Sequence, residues 1–176
     1  MNFGQQFVVL DKIIHDRDSF DCGESELNFF LKTQACKHMK VGVSNTMILA
    51  AITPLANGKY PICSYYTVAP SSIKRATLPA TIAKKLPHYP VPVFLLAQLA
   101  VDKNYHGQKL GRITLIKALE FLWEINLQMS AFAIIVDCHN SEVEKFYTKF
   151  GFQLLDKHSR KSRMYICMKT VEKLFI

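Results

Sequence analysis

Between Leu27 and Val101 the chain has no acidic residue, although that stretch carries eight basic ones: Lys32, Lys37, Lys40, Lys59, Lys74, Arg75, Lys84 and Lys85. Six acids precede it (Asp11, Asp16, Asp18, Asp21, Glu24, Glu26) against Lys12 and Arg17, and twelve basic and eight acidic residues follow it. The net charge of +8 is thus concentrated, which favours a polyanionic partner, nucleic acid or an acidic protein segment, over an indifferent solvated surface. Other absences narrow the chemistry. The five cysteines are odd in number and show no CxxC spacing, so they read as small buried hydrophobes in a reducing compartment. Six histidines offer no HxxxH or mixed Cys/His spacing, and Cys138-His139 alone is too little, so no metal is expected. No run approaches a membrane span, and the start MNFGQQFVVLDK lacks the basic and apolar regions of a signal peptide. No membrane role and a cytoplasmic location are therefore expected. No paired carboxylates and no Ser/His/Asp array suggest a strong base.

What is present fits one α/β domain over residues 1–176, with a mixed sheet. Phe7–Leu10 reads as a first strand, and Ser25–Met39 as a helix with Ser25 as N-cap. Thr46–Thr53 and Ile62–Ala69 are strand-like, with Asn57-Gly58 as a turn between them. A proline-rich linker leaves room for a short helix at Thr81–Leu86. Phe94–Val101 is a nearly continuous apolar run, as in a central strand. Helix-period residues from Ile113 to Trp123 and a second apolar run, Ala131–Cys138, complete a right-handed βαβ unit. A helix over Glu142–Phe150, stopped by Gly151, and a strand over Arg163–Lys169 close the chain.

The link between the central strand and its helix is NYHGQKLGR, Asn104–Arg112. Glycines let a chain turn tightly, so that several N–H groups converge on an anion with the positive end of a helix dipole behind them. Gly107 and Gly111 meet that need in part, while Lys109 stands where a third glycine would serve best. On this motif alone a phosphate cradle and an ordinary strand-to-helix turn both remain open.

Four segments, in order and spacing, carry a resemblance: FDCGESELNFFLKTQA (Phe20–Ala35), YYTVAPSSI (Tyr65–Ile73), YPVPVFLLAQLAVDKNYHGQKLG (Tyr89–Gly111) and FYTKFGF (Phe146–Phe152). Together they resemble the GNAT acetyltransferase superfamily, and within it the acetyltransferase toxins of bacterial toxin–antitoxin pairs. The resemblance implies the GNAT fold, a central mixed β-sheet flanked by helices, and acetyl-CoA as acetyl donor. It implies that His106, Gly107, Gln108, Lys109, Leu110, Gly111 and Arg112 form the acetyl-CoA loop and that Leu99, Ala100 and Val101 bind the pantetheine arm by their backbone. Tyr147 matches the tyrosine that protonates the departing thiolate. Asn140 either contacts the coenzyme arm or caps its helix. The sequence departs from the family at His106 (usually Gln or Arg), at Lys109 (usually Gly) and at Gln98 (often Arg).

With no strong base, an α-amine of pKa about 8 is a better acceptor than a lysine amine near 10.4. The lead expectation is acetylation of the α-amine of aminoacyl-tRNA, with Lys84, Lys85, Arg160 and Lys161 holding the tRNA. Resemblance adds a ribbon–helix–helix antitoxin with an acidic tail, operator DNA reached only through that complex, and a homodimer. Alternatives are acetylation of a small amine or protein N-terminus, or an impaired domain with a binding or corepressor role.

Overall fold

The computed structural model describes residues 3–176. It is an α/β structure of parallel and antiparallel strands with helices, and the chain groups into two compact units.

The first unit comprises the residues up to Ala69 together with Ala97–Ala118. β1 (Val8–Val9) pairs antiparallel with β3 (Asn45–Ala50), and β2 (His15–Asp16) pairs parallel with the start of β4 (Tyr60–Ile73). β3 and β4 form the expected hairpin, in register from Asn45↔Val68 to Ala50↔Ile62 with an irregularity at Leu49/Ala50. Its turn uses Gly58 at φ +79°, a conformation that favours glycine, and Asn57 Oδ1 accepts the Lys59 N–H at 2.9 Å.

The single helix expected over Ser25–Met39 is interrupted. α1 (Ser25–Phe29) passes into a π-turn over Phe30–Gln34 before α2 (Ala35–Lys40). Ser25 is the first helical residue rather than the cap; Glu24 occupies the cap position with an extended backbone and no capping side chain. Leu31, Ala35, Phe20 and Tyr65 share one buried cluster with Ile48, Ile62 and Ala100. Phe20 meets Tyr65 edge-on at 5.4 Å, and the Tyr65 hydroxyl donates to the Leu27 carbonyl at 2.8 Å, so a buried phenol is satisfied by the helix it supports. A second cluster joins Leu49, Cys63 and Leu110 to Val101, Tyr105 and Ile113, and so seats the start of α4 (Leu110–Asn126).

The second unit comprises Pro70–Leu96 and Leu119–Ile176. It holds α3 (Ala80–Ala83), shorter than the Thr81–Leu86 helix expected. β5 (Val91–Val101) starts here and pairs parallel with β6 (Ala133–Cys138) from Val93↔Ala133 to Leu95↔Ile135, as the βαβ reading requires. α5 (Ser141–Thr148) ends before Gly151, whose φ is +89°. β7 (Gln153–His158) and β8 (Lys161–Cys167) make a hairpin, with β8 also antiparallel to β6. The sequence reading missed β7, because its residues are mostly exposed and show no apolar alternation, as an edge strand permits. It also ran the last strand too far: Met168 opens α6 (Met168–Glu172), burying Met168 and Val171.

Leu31 is fully buried in the π-turn. Leu31→Ala should cost about 2–5 kcal/mol of unfolding free energy by leaving a cavity, measured as a shift in urea midpoint at unchanged slope.

Candidate functional site

The chain leaves β5 at Val101 and enters α4 at Leu110. Asp102, almost fully buried, governs the first step. Its Oδ1 accepts the Asn104 N–H at 2.9 Å and caps a single 3₁₀ turn, Lys103–Tyr105. The Tyr105 and His106 N–H groups donate to the carbonyls of Asp102 and Lys103 at 2.9 and 3.2 Å. The His106 ring then returns to the strand, with Nε2 at 2.7 Å from the Val101 carbonyl oxygen. A carbonyl can only accept, so Nε2 carries the hydrogen.

After His106 the bonding stops. From Gly107 through Arg112 no main-chain N–H donates to an acceptor among the described residues; Ile113 resumes, donating to Lys109 at 3.2 Å. Gly107 at φ +76° and Lys109 at φ +60° fold the run back on itself at the head of a 17-residue helix. Free donors in series, at the positive end of a helix dipole, suit a phosphate group. Lys109 pays for its left-handed backbone with about 1 kcal/mol of strain, and its exposed ammonium makes no ion pair among the described residues.

At Gly111 a Cβ would meet only Val101 Cγ2, at 3.8 Å, so packing tolerates a side chain. Gln108 donates weakly to the Asn104 carbonyl at 3.3 Å, and Leu110 contributes an N–H to the run while its side chain lies in the core. Ala100 is buried and Leu99 half-buried, so what these strand residues have to offer is chiefly backbone.

Asn140 and Tyr147 belong to α5, in the second unit. Asn140 is the N-cap: its Oδ1 accepts the Val143 N–H at 2.9 Å. The Tyr147 ring packs edge-on against Phe152 and Phe146, each at 5.2 Å, and the residue is only 6% exposed. Its hydroxyl has no hydrogen-bond partner among the described residues. Burial, with a smaller contribution from Cys138, pushes its pKa above the ordinary phenol value. Tyr147 therefore keeps its proton through the neutral and alkaline range.

Other reactive groups are withdrawn. Burial pushes the thiols of Cys22, Cys63 and Cys167 up, and that of Cys138 up to about 11, so none of these is a ready nucleophile. Asp137 takes a bidentate pair from Arg163 at 2.7 and 2.8 Å, and Glu144 accepts from Ser162. Arg163 is thereby removed from the basic cluster at the β7–β8 hairpin. Lys84 and Lys85 after α3, and Arg160 and Lys161 at that hairpin, remain exposed and without ion pairs among the described residues. No group of three metal-ligating side chains occurs among the described residues. From sequence, Asp102 and Asp137 stand at strand ends in structural rather than steering roles, and both have such roles here; what the sequence reading did not give is the turn that Asp102 caps. Its signal is an Asp just after an apolar run with a backbone N–H two residues on, the pattern of an Asx turn.

Residues 80–152 match the acetyltransferase (GNAT) family. Over that stretch, which holds β5, the loop after it and α5, the chain is similar to this acetyltransferase family. Among curated relatives, the tRNA-acetylating toxin of Mycobacterium tuberculosis is 29% identical over 139 residues, 79% of this chain and 79% of that one. AtaT complexed with acetyl-methionyl-tRNAfMet is a structural neighbour with TM-score 0.86 and 28% identity, covering 97% of this chain and 99% of the other. AtaTR bound with AcCoA follows at TM-score 0.83 and 28% identity, covering 97% and 98%. The free N–H run fits the coenzyme, whose diphosphate oxygens are the strong acceptors that run lacks.

Lys109→Gly removes both strain and one charge, so acetyl-CoA affinity should change by less than about tenfold, or 1.4 kcal/mol. Gly111→Val should weaken it far more. Calorimetric titration of both variants checks this, and loss of binding in Lys109→Gly alone would make the lysine, not the backbone, the anchor.

Proposed function

We propose that this protein is an acetyl-CoA-dependent N-acetyltransferase toxin that acetylates the α-amine of aminoacyl-tRNA and so blocks translation. The observation that carries the reading is the run of free N–H groups from Gly107 to Arg112. Bound there, acetyl-CoA supplies an activated acetyl thioester. The N–H groups of Gly107, Gln108, Lys109, Leu110, Gly111 and Arg112 hold the diphosphate, and Lys109 adds a point charge. His106 fixes the Val101 carbonyl, while the backbone of Leu99, Ala100 and Val101 takes the pantetheine arm as an added strand would. Asn140 holds the start of α5, and its amide NH₂ stays free for the coenzyme arm. Tyr147 keeps a proton at Oη for the sulfur that leaves.

The acceptor follows from what the chain lacks. Asp102 and Asp137 are bound up in structure, Glu144 is engaged by Ser162, and no paired carboxylates or Ser/His/Asp array stands beside Tyr147 among the described residues. The attacking amine must be neutral, and at neutral pH an α-amine of pKa about 8 is neutral in a far larger fraction than a lysine amine near 10.4. Unpaired Lys84, Lys85, Arg160 and Lys161 supply charge for the tRNA backbone. The similarity to a tRNA-acetylating toxin and to AtaT in complex with acetyl-methionyl-tRNAfMet supports the same substrate class. Neutralisation by a ribbon–helix–helix antitoxin with an acidic tail, contact with operator DNA only through that complex, a homodimer and action in the cytoplasm complete the proposal on family resemblance. Acetylation of a small amine or a protein N-terminus is the competing reading. Incubation with labelled acetyl-CoA and charged total tRNA decides between them: label on aminoacyl-tRNA supports the proposal, and label absent from tRNA sinks it.

Tyr147→Phe should fold and bind acetyl-CoA normally, since ring and packing survive, yet lose on the order of a hundredfold or more in turnover. Unchanged turnover would remove Tyr147 from the mechanism.

Turnover at subsaturating acceptor should rise with pH between about 6 and 8 as the α-amine deprotonates, with no falling limb below about pH 10, because the raised phenol pKa keeps the Tyr147 proton in place. A fall in rate at pH 8–9 would contradict the sign of that shift.

Affinity for tRNA should fall steeply with salt, and charge reversal at Lys84 and Lys85 or at Arg160 and Lys161 should flatten the slope while leaving acetyl-CoA affinity nearly unchanged. A flat salt dependence in the parent protein would remove the electrostatic basis for tRNA binding.

A further inference from the structure

No main-chain N–H from Gly107 to Arg112 donates to an acceptor among the described residues, so the position of these donors is set chiefly by the two ends of the run. One end is α4, seated by Leu110 in the core. The other is the 3₁₀ turn capped by Asp102, and that cap has a second job. Asp102 Oδ1 holds the turn, while Oδ2 accepts the N–H of Asp21 at 2.9 Å, from a segment 81 residues away. The contact is reciprocated, since the Lys103 N–H donates to the Asp21 carbonyl at 2.8 Å. Lys103 Nζ adds an ion pair to Asp21 Oδ2 at 2.8 Å.

The segment that grips the turn is itself tightly specified. Asp21 Oδ1 accepts from the Gly23 N–H at 2.9 Å and from Asn28 Nδ2 at 2.8 Å. Asn28 Oδ1 in turn accepts the Cys22 N–H at 2.9 Å. Gly23 sits at φ +91°, where any other residue is strained, and a Cβ on it would come within 3.3 Å of Lys103 Cε, so that side chain would have to shift. Three donors, of which the Lys103 ammonium matters most, hold the Asp21 carboxyl well below the usual carboxylate range. Asp21 therefore stays ionised at neutral pH.

We propose that Asp21 and Asn28 are positioning residues for the acetyl-CoA loop: by holding the 3₁₀ turn through Asp102 and Lys103, they set coenzyme affinity without being coenzyme ligands. This rests on the reading of Gly107–Arg112 as the coenzyme cradle. Electrostatics and positioning predict opposite signs, which makes the idea testable. Removing a negative charge near an anion site, and releasing Lys103 from its pair, should tighten acetyl-CoA binding if charge alone counts. Loss of positioning should weaken it.

The test is calorimetric titration of acetyl-CoA into the full chain, its Asp21→Asn variant and its Asn28→Ala variant, with steady-state kinetics and thermal melts of each. Both variants should raise the Kd and the KM for acetyl-CoA by about tenfold, the scale of a small misplacement of a binding group. Turnover at saturating acetyl-CoA and the KM for the amine acceptor should stay within about twofold of the parent. Unchanged or tighter binding in Asp21→Asn overturns the proposal. So does a parallel loss in both KM values and turnover with a lowered melting temperature, which would mark a structural role only. If Asn28→Ala does not fold, Asp21→Asn decides alone, because its half-exposed side chain keeps its shape. A parent protein that binds no acetyl-CoA would overturn the cradle itself and this inference with it.

Discussion

A run of main-chain N–H groups without acceptors is the constraint around which the loop after β5 is built. Ordinary turns satisfy their donors internally, and a helix start is usually capped by a side chain. Here the cap is spent one turn earlier, on the 3₁₀ turn under Asp102, and α4 begins with its donors bare. Two left-handed residues, one of them a lysine, hold that arrangement. Strain of this kind persists only where the surrounding structure fixes it. Leu110 in the core and the hydrogen bond from His106 to the Val101 carbonyl do so on either side.

The two departures from the family pattern in this loop have different weights. His106 replaces a longer polar side chain, yet its ring reaches the strand carbonyl and ties the loop to β5. Lys109 replaces a glycine and takes up the backbone conformation that glycine would have adopted. Its side chain projects to solvent without a partner, so the substitution trades conformational ease for a mobile positive charge. The donors themselves belong to the backbone, which is why a change of side chain leaves them in place.

Several acid–base groups elsewhere are engaged in structure. Asp137 is held by Arg163, Asp102 by backbone donors, Asp21 by Lys103, and the thiols with raised pKa values by burial. Tyr147 stands out because its ring is anchored by Phe146 and Phe152 while its hydroxyl has no partner among the described residues. A chain so arranged can keep and deliver a proton but has little with which to remove one. The proposed preference for an already neutral amine follows from that imbalance. Charge shows the same selectivity: the pair with Asp137 subtracts Arg163 from the hairpin cluster, leaving Arg160 and Lys161 free.

The sequence by itself determined the features that depend on neighbours in the chain. The hairpin at Asn57-Gly58, the β5–α4–β6 order, the glycines on either side of Lys109 and the tyrosine on a short helix all follow from periodicity and local backbone preference. Those terms act over a few residues, so they can be read in one pass. The edge strand Gln153–His158 escaped that reading because exposed polar residues carry no periodic signal, and the π-turn over Phe30–Gln34 because its residues have ordinary helical spacing. Only the tertiary structure decided that Asp21 would meet Asp102 and Lys103, that Asp137 would neutralise Arg163, and that His106 would face the strand instead of solvent. Each depends on which surfaces the sheet and core bring together. Pairing between polar groups far apart in sequence is set by that packing, and no local preference encodes it.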